Sequence, residues 1–318
     1  CAKLLLDRHA NVNAVDNGNY TLLHWASKHD RHQCVELLLD RHANVNAVDN
    51  DNYTPLHWAS INGHHQCAKL LLDRHANVNA VDNDYYKPLH WASMNGHHQC
   101  VELLLERHAT VNAIGNNNYT PLHWASMNGH HQCVELLLGR YAHINAPTTS
   151  NSTPLHFASR FGYHQCIELL LDRHANVNAV DNYKITPLHW ASRHGYHQCI
   201  ELLLDRHADV NAVNNYKITP LHWASRQGHH QCIELLLDRH ANINAPTTSN
   251  STPLHWACIK GQHQCIELLL GRHADINVVD KSNNVPLHWA SRNGHHQCIE
   301  LLIDHGASKS ITNVRHPP

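Results

Sequence analysis

The four-residue phrase headed by Thr21, Thr54, Lys87, Thr120, Thr153, Thr186, Thr219, Thr252 and Val285 returns every 33 residues, with no insertion anywhere in the chain. A fixed period of this length constrains the fold more than any composition figure. Each unit is one supersecondary block, too small to bury its own apolar face, so it has to stack on its neighbours. The chain reads as a single array over residues 1–318: a partial unit at 1–15, nine 33-residue units over 16–312 and a tail at 313–318. Larger blocks recur as well. "APTTSNSTPLH" begins at Ala146 and again at Ala245, and "YKITPLHWASR" begins at Tyr183 and Tyr216, as in an array that grew by copying whole units. Cys1 aligns with Cys34, Cys67 and Cys100 in mid-unit, so the chain opens on a helix without its partner and reads as a fragment of something longer.

Within a unit the signals are local. Thr54 suits an N-cap, and Pro55 suits the first helical position, where its missing N–H costs nothing. Leu56, Ala59 and Ser60 then share one face. Gly63 ends this helix in the left-handed region, and glycine holds that place in every unit except the one with Asp30. In the second helix Cys67, Leu70 and Leu71 mark the buried face, while Gln66 and Lys69 point away. "ANVNAVDNDNY" is too rich in Asn and Asp for a helix and reads as a turn or short hairpin. The unit is helix, turn, helix, loop.

"TPLH" at Thr54, Gly63 with His64, "ELLL" at Glu102 and "ANVNA" at Ala76, in a 33-residue frame, resemble the ankyrin repeat over nearly the whole chain. The resemblance implies an all-α repeat fold: a solenoid of stacked helix-turn-helix units with hairpins projecting to one side, working in protein recognition rather than catalysis. The departures concern backbone geometry. Where the family has glycine after the second helix, this chain has His42, His75, His108, His174, His207, His240 and His273, and once Tyr141; only Gly306 restores it. At the hairpin glycine it has Asn19, Asn52, Asn118, Asn151, Asn250 and Asn283, but also Tyr85, Lys184 and Lys217, which fit a left-handed backbone less readily. The family also implies that Asn46, Asn79, Asn112 and their equivalents are places where an asparaginyl hydroxylase could act.

Histidine is the compositional oddity, at 36 residues. The phrase histidine, the column of His65 and the column of His75 account for 26 of those 36, one per unit. A metal or catalytic site needs ligands converging on one point, so this even spread reads as structure, with no metal, no cofactor and no enzymatic role. His57 sits at N3, where it can reach back to the N-cap. If the His65 column is buried and neutral, stability should fall as pH drops through about 6.5. The periodic cysteines lie one rung apart. Packed helices stand about 8–10 Å from each other, too far for a disulfide, whose Cα atoms lie roughly 4.4–6.8 Å apart. They read as small buried hydrophobes in a reducing compartment, cytoplasmic or nuclear. The column of Trp58, with Phe157 in one unit, reads as core.

A net charge of −2 gives no global reason for nucleic acid as a partner, and no apolar run is long enough to span a membrane. Function should sit where units differ. Two such columns are the residues after "AS" (Ile61, Met94, Met127, Arg160 with Phe161, Arg193, Arg226, Lys260 and Arg292) and the hairpin residues Tyr53, Tyr86 and Tyr119. The resemblance places both on a concave groove. The reading is a monomeric scaffold or adaptor for a protein or peptide whose apolar segment precedes an acidic or phosphorylated one. Two alternatives stand beside it: the targeting region of a larger multidomain enzyme or channel, and a His-rich protein responsive to metal or pH.

Overall fold

Pro55 opens the helix Pro55–Ile61, and Thr54 before it is extended at φ −90° and ψ 166°. The cap is reciprocal. The Thr54 side chain accepts from the His57 N–H, and His57 Nδ1 accepts from the Thr54 N–H at 3.1 Å. At Lys87 and Val285, which carry no hydroxyl, the backbone half survives: each N–H donates to the histidine three residues on, at 3.0 and 3.1 Å. Gly63 then turns the chain at φ +72° into the helix His65–Asp73. His75 ends that helix at φ +63°, and the hairpin residue Asn52 stands at +62°.

The computed structural model describes residues 11–308, and within them this unit recurs as nine helix pairs, from Leu22–Lys28 with His32–Asp40 to Pro286–Arg292 with His296–Asp304. No strand occurs among the described residues; a single antiparallel bridge joins Val15 and Thr21. The fold is all-α and repetitive, as the period implies. The partial first unit and the tail lie mostly outside the described residues. Every unexpected residue at a left-handed position adopts it, including Tyr141 at φ +63°, Tyr85 at +63°, Lys184 at +58° and Lys217 at +56°. Each costs about 1 kcal/mol relative to glycine, so stacking outweighs local preference here.

The core is thin and repeats with the units. Leu56 and Ala59 of the first helix meet Cys67, Ala68 and Leu71 of the second, all with no exposed surface. Leu70, expected on that face, is only half-buried; Leu72 lies deeper. The chain forms two compact units, one running up to Pro154 with Asp172–Ala175, the other comprising Leu155–Leu171 and the chain from Asn176.

Inside each unit three sets of bonds fix the register of neighbouring repeats. The Asn79 side-chain carbonyl accepts from the Thr110 N–H at 2.9 Å, and Asn211 does the same for Asn242 at 2.7 Å. Adjacent hairpins share one backbone bond, as from Asn83 N–H to the Asp51 carbonyl (3.1 Å) and from Thr248 N–H to the Tyr216 carbonyl (2.9 Å). On the second helices, exposed ion pairs such as Arg74–Asp40 (2.6 Å) and Arg239–Asp205 (2.6 Å) add about 0–1 kcal/mol each.

Candidate functional site

Where the hairpin carries a carboxylate, that group closes the turn and holds the tryptophan. Asp49, buried, accepts from the N–H groups of Asp51 (3.0 Å) and Tyr53 (2.9 Å), which closes the turn, and its second oxygen accepts from Trp58 Nε1 at 3.0 Å. Asp82 binds Trp91 at 2.9 Å, and Asp280 binds Trp289 at 2.9 Å. Trp25 donates likewise to Asp16 at 3.1 Å, whereas the repeats of Trp124, Trp223 and Trp256 carry Gly115, Asn214 and Thr247 in place of the hairpin Asp, and Trp124 Nε1 is buried without a partner among the described residues. Trp58, Trp91, Trp124, Trp190, Trp223, Trp256 and Trp289 are half-buried and Trp25 is 41% exposed; only Phe157, which has no N–H to satisfy, is buried. This corrects the expectation that the tryptophan column belongs to the core.

In the first unit the tryptophan rings pack against the hairpin tyrosines, mostly tilted or edge-on. Tyr53 lies between Trp58 (5.2 Å between centroids) and Trp91 (5.8 Å), and Tyr86 lies between Trp91 (5.9 Å) and Trp124 (5.8 Å). Tyr20 repeats this between Trp25 and Trp58, and Tyr119 stacks on Trp124 at 4.9 Å. Such pairs are worth about 0.5–1.5 kcal/mol beyond their burial. Ile61, Met94 and Met127 are half-buried at the ends of their first helices. The carbonyls of Ile61 and Met94 each accept a bond from the next repeat, from His97 and His130 at 3.0 Å.

In the second unit arginine replaces the apolar residues and the stack changes character. Arg160 lies 4.6 Å over Trp190, Arg193 lies 4.6 Å over Trp223, and Arg226 lies 5.3 Å over Trp256. Arg193 and Arg226 also face the tryptophan of their own helix, at 5.4 and 5.9 Å. A guanidinium lying over the face of an indole keeps N–H groups free to donate. No carboxylate among the described residues pairs with Arg160, Arg193 or Arg226. Phe161 is 41% exposed, 5.6 Å from Arg160. Arg292 covers only its own Trp289, at 5.4 Å. Lys260 is exposed one position beyond the column; Ile259 holds the equivalent place.

The family model described as ankyrin repeats (3 copies) matches residues 1–82, 74–148, 142–214, 208–280 and 247–313. The chain belongs to the ankyrin repeat family. Among solved structures it is similar to the human ASB11 ankyrin repeat domain, at 31% identity and a TM-score of 0.65, over 70% of this chain and 99% of that one. No curated protein matches it.

Within the ankyrin frame the histidine columns separate by role. A backbone N–H can only donate, so Nδ1 of the phrase histidine must be the acceptor and Nε2 carries the proton. That Nε2 donates to a carbonyl of the next repeat: His57 to Tyr86 (3.3 Å), His189 to Ile218 (2.9 Å), His222 to Ser251 (3.1 Å). These rings are neutral and fully buried, and burial pushes His57, His90, His189 and His222 down to about 4. The His65 column was the one expected to be buried, and it is not. His65, His98 and His131 are half-buried and His164, His197 and His230 exposed, because they stand at the outer start of the second helix.

A third column, that of His64, stands out in the sequence only as part of the motif with Gly63, and its contacts are not foreseen there. His97, His130 and His229 press against the glycine of the preceding ankyrin repeat while Nε2 donates to Ile61, Met94 and Arg193, at 3.0, 3.0 and 3.3 Å. Burial lowers all three pKa values. The spacing of 33 was visible, but the ring meets a glycine 34 residues back and bonds a carbonyl 36 residues back, and neither partner is a side chain. Among the described residues no group of three or more His, Cys, Asp or Glu is arranged to hold a metal ion. The described cysteines are free thiols; all but half-buried Cys34 are buried. No helix among the described residues is long and apolar enough to cross a membrane.

Proposed function

We propose that this array is a non-catalytic scaffold or adaptor that holds an extended polypeptide, with an apolar segment on the Tyr–Trp face of the first unit and an acidic or phosphorylated segment on the Arg–Trp face of the second. Ankyrin repeats are in general protein–protein interaction modules, and the finer reading rests on one observation. Arg160, Arg193 and Arg226 stand unpaired, each already stacked on an indole, so little side-chain entropy is left to lose on binding. Polar side chains recur once per repeat instead of converging, which suits recognition along a strand rather than chemistry at a point. Buried free thiols fit a reducing compartment, so the proposed place of work is the cytoplasm or nucleus, as a monomer.

Selection of random peptides displayed on phage against the intact chain tests this directly. The expected winners carry an apolar stretch followed by Asp or Glu, and synthetic copies with phosphoserine in place of the acidic residue should bind at least as tightly. Replacing Arg160, Arg193 and Arg226 together by Glu should weaken them by more than about 100-fold and flatten the salt dependence. Replacing Met94 and Met127 by Ser should weaken them without altering that dependence. Winners without acidic bias, bound equally by the Arg→Glu variant, would defeat the assignment.

A further inference from the structure

The hairpin sequence "APTTSNSTPLH" occurs twice, and its two copies face different helix ends. The copy at Ala245 adjoins Arg226 and Trp256; the copy at Ala146 has Met127 and Phe157 at the equivalent positions. Around the second copy Arg226, Ser249, Ser251, Trp256 and Ile259 line a cavity of about 320 Å³. We infer that this cavity is a niche for a phosphoryl group on a serine or threonine side chain of the partner peptide.

The donor arithmetic points there. Ser249 Oγ lies 3.0 Å from Thr247 Oγ1 and 3.3 Å from Ser251 Oγ. Three hydroxyls carry three protons, and their two mutual contacts use two of them. Thr247 Oγ1 also accepts from the Ser251 N–H at 3.1 Å. One hydroxyl proton is therefore left over from these contacts, and two of the three hydroxyl residues, Ser249 and Ser251, line the cavity. Arg226 adds the forked donors of a guanidinium held between Trp223 and Trp256 and paired with no carboxylate. A ligand made only of acceptors suits this set.

Charge selects in the same direction. Other repeats place Asp49, Asp82, Asp181 or Asp280 where Thr247 stands, and their carboxylates would repel an anion. Thr247 supplies the turn's acceptor without the charge. A carboxylate has two oxygens, which the Arg226 fork satisfies alone, leaving the serine hydroxyl unused. A phosphoryl group has a third oxygen for it. At about 30 Å³ per water, the cavity has room for roughly ten, enough for a phosphoryl group and the stem of its side chain against Trp256 and Ile259.

This inference rests on the proposed use of the Arg–Trp face and names the group that face selects. The test uses the intact chain with 15N-labelled indoles, at constant ionic strength. The probes are acetyl-glycyl-phosphoseryl-glycinamide, its serine and glutamate counterparts, and inorganic phosphate. The phosphoserine probe should shift the Trp256 indole resonance before the others and bind about tenfold tighter than the glutamate probe. Arg226→Met, which copies the residue of the other hairpin, should weaken it about tenfold, and Ser249→Ala about threefold, with melting unchanged. Ser150→Ala in the first copy should change nothing. Equal binding of the glutamate probe, no shift at Trp256, or indifference to Arg226→Met overturns the niche. Inorganic phosphate binding as tightly as the phosphoserine probe overturns the assignment to a side chain. Acidic peptides that still depend on Arg160 and Arg193 in those cases would leave the broader function standing.

Discussion

Gly96 and Gly294 hold the same place in their repeats, at φ +76° and +71°, and differ in what stands over them. A Cβ on Gly96 would lie 2.5 Å from His130 Nδ1, whereas a Cβ on Gly294 would meet nothing within 4 Å among the described residues. Alanine at either position should cost the left-handed penalty of about 1 kcal/mol. Gly96→Ala must also displace a ring anchored to the Met94 carbonyl, so it should cost about 2 kcal/mol more in urea unfolding. Equal costs would show that the contact is soft. Sequence reading explains these glycines by dihedral angle alone, and the histidine that also demands them belongs to the following repeat. The buried serines are the opposite case. Ser60, Ser93, Ser126 and Ser192 bury a hydroxyl with no hydrogen-bond partner, and one repeat already replaces the group by Cys258. Ser126→Ala should leave stability unchanged or raise it by up to about 1 kcal/mol; a loss greater than that would reveal a hidden partner.

The hairpin is the element on which both faces depend. Asp82→Ala would orphan two backbone donors, of Asp84 and Tyr86, and the Trp91 indole, a loss of about 2–3 kcal/mol. Asp82→Asn should recover most of it, because Asn214 already accepts from Tyr216 and Ile218 at 2.9 and 3.0 Å in its own repeat. Equilibrium unfolding followed by indole fluorescence separates the two variants; equal losses would mean that charge, and not geometry, holds the turn. The helices around this hairpin were legible because their signals are adjacent in sequence: Thr54 before Pro55 at the start, Gly63 at the stop. The rim position of the tryptophans was legible only in part. Asp49 and Trp58 stand nine residues apart, as do Asp82 and Trp91, and that spacing recurs in the sequence. Ring size argued for the core, yet the tryptophans are half-buried even in the repeats of Trp124, Trp223 and Trp256, which have no hairpin Asp. The Arg–Trp contacts between repeats, Arg160 with Trp190, Arg193 with Trp223 and Arg226 with Trp256, were hidden because they depend on side-chain direction across 30 residues.

Across the whole molecule the phrase histidines set the response to acid. Held near 4 when folded and near 6.5 when unfolded, His57, His90, His189 and His222 bind more protons in the unfolded chain throughout that interval. Their contribution is complete above about pH 6.5, falls as pH drops, and is lost by about pH 4. At pH 5 each forfeits about 2 kcal/mol, so Tm should drop by more than about 10 °C relative to pH 7.5. Identical melting at the two pH values would show that the rings escape protonation by another route. The buried cysteine column has a further consequence. Burial pushes Cys67, Cys100, Cys166, Cys232 and Cys265 up to about 12, so at neutral pH these thiols are silent towards alkylating reagents until their repeat opens. Each repeat therefore carries its own chemical clock. Among the described cysteines, timed alkylation read by peptide mass spectrometry should start with half-buried Cys34 and end with Cys258, so one chain reports its local unfolding, repeat by repeat, through its own thiols.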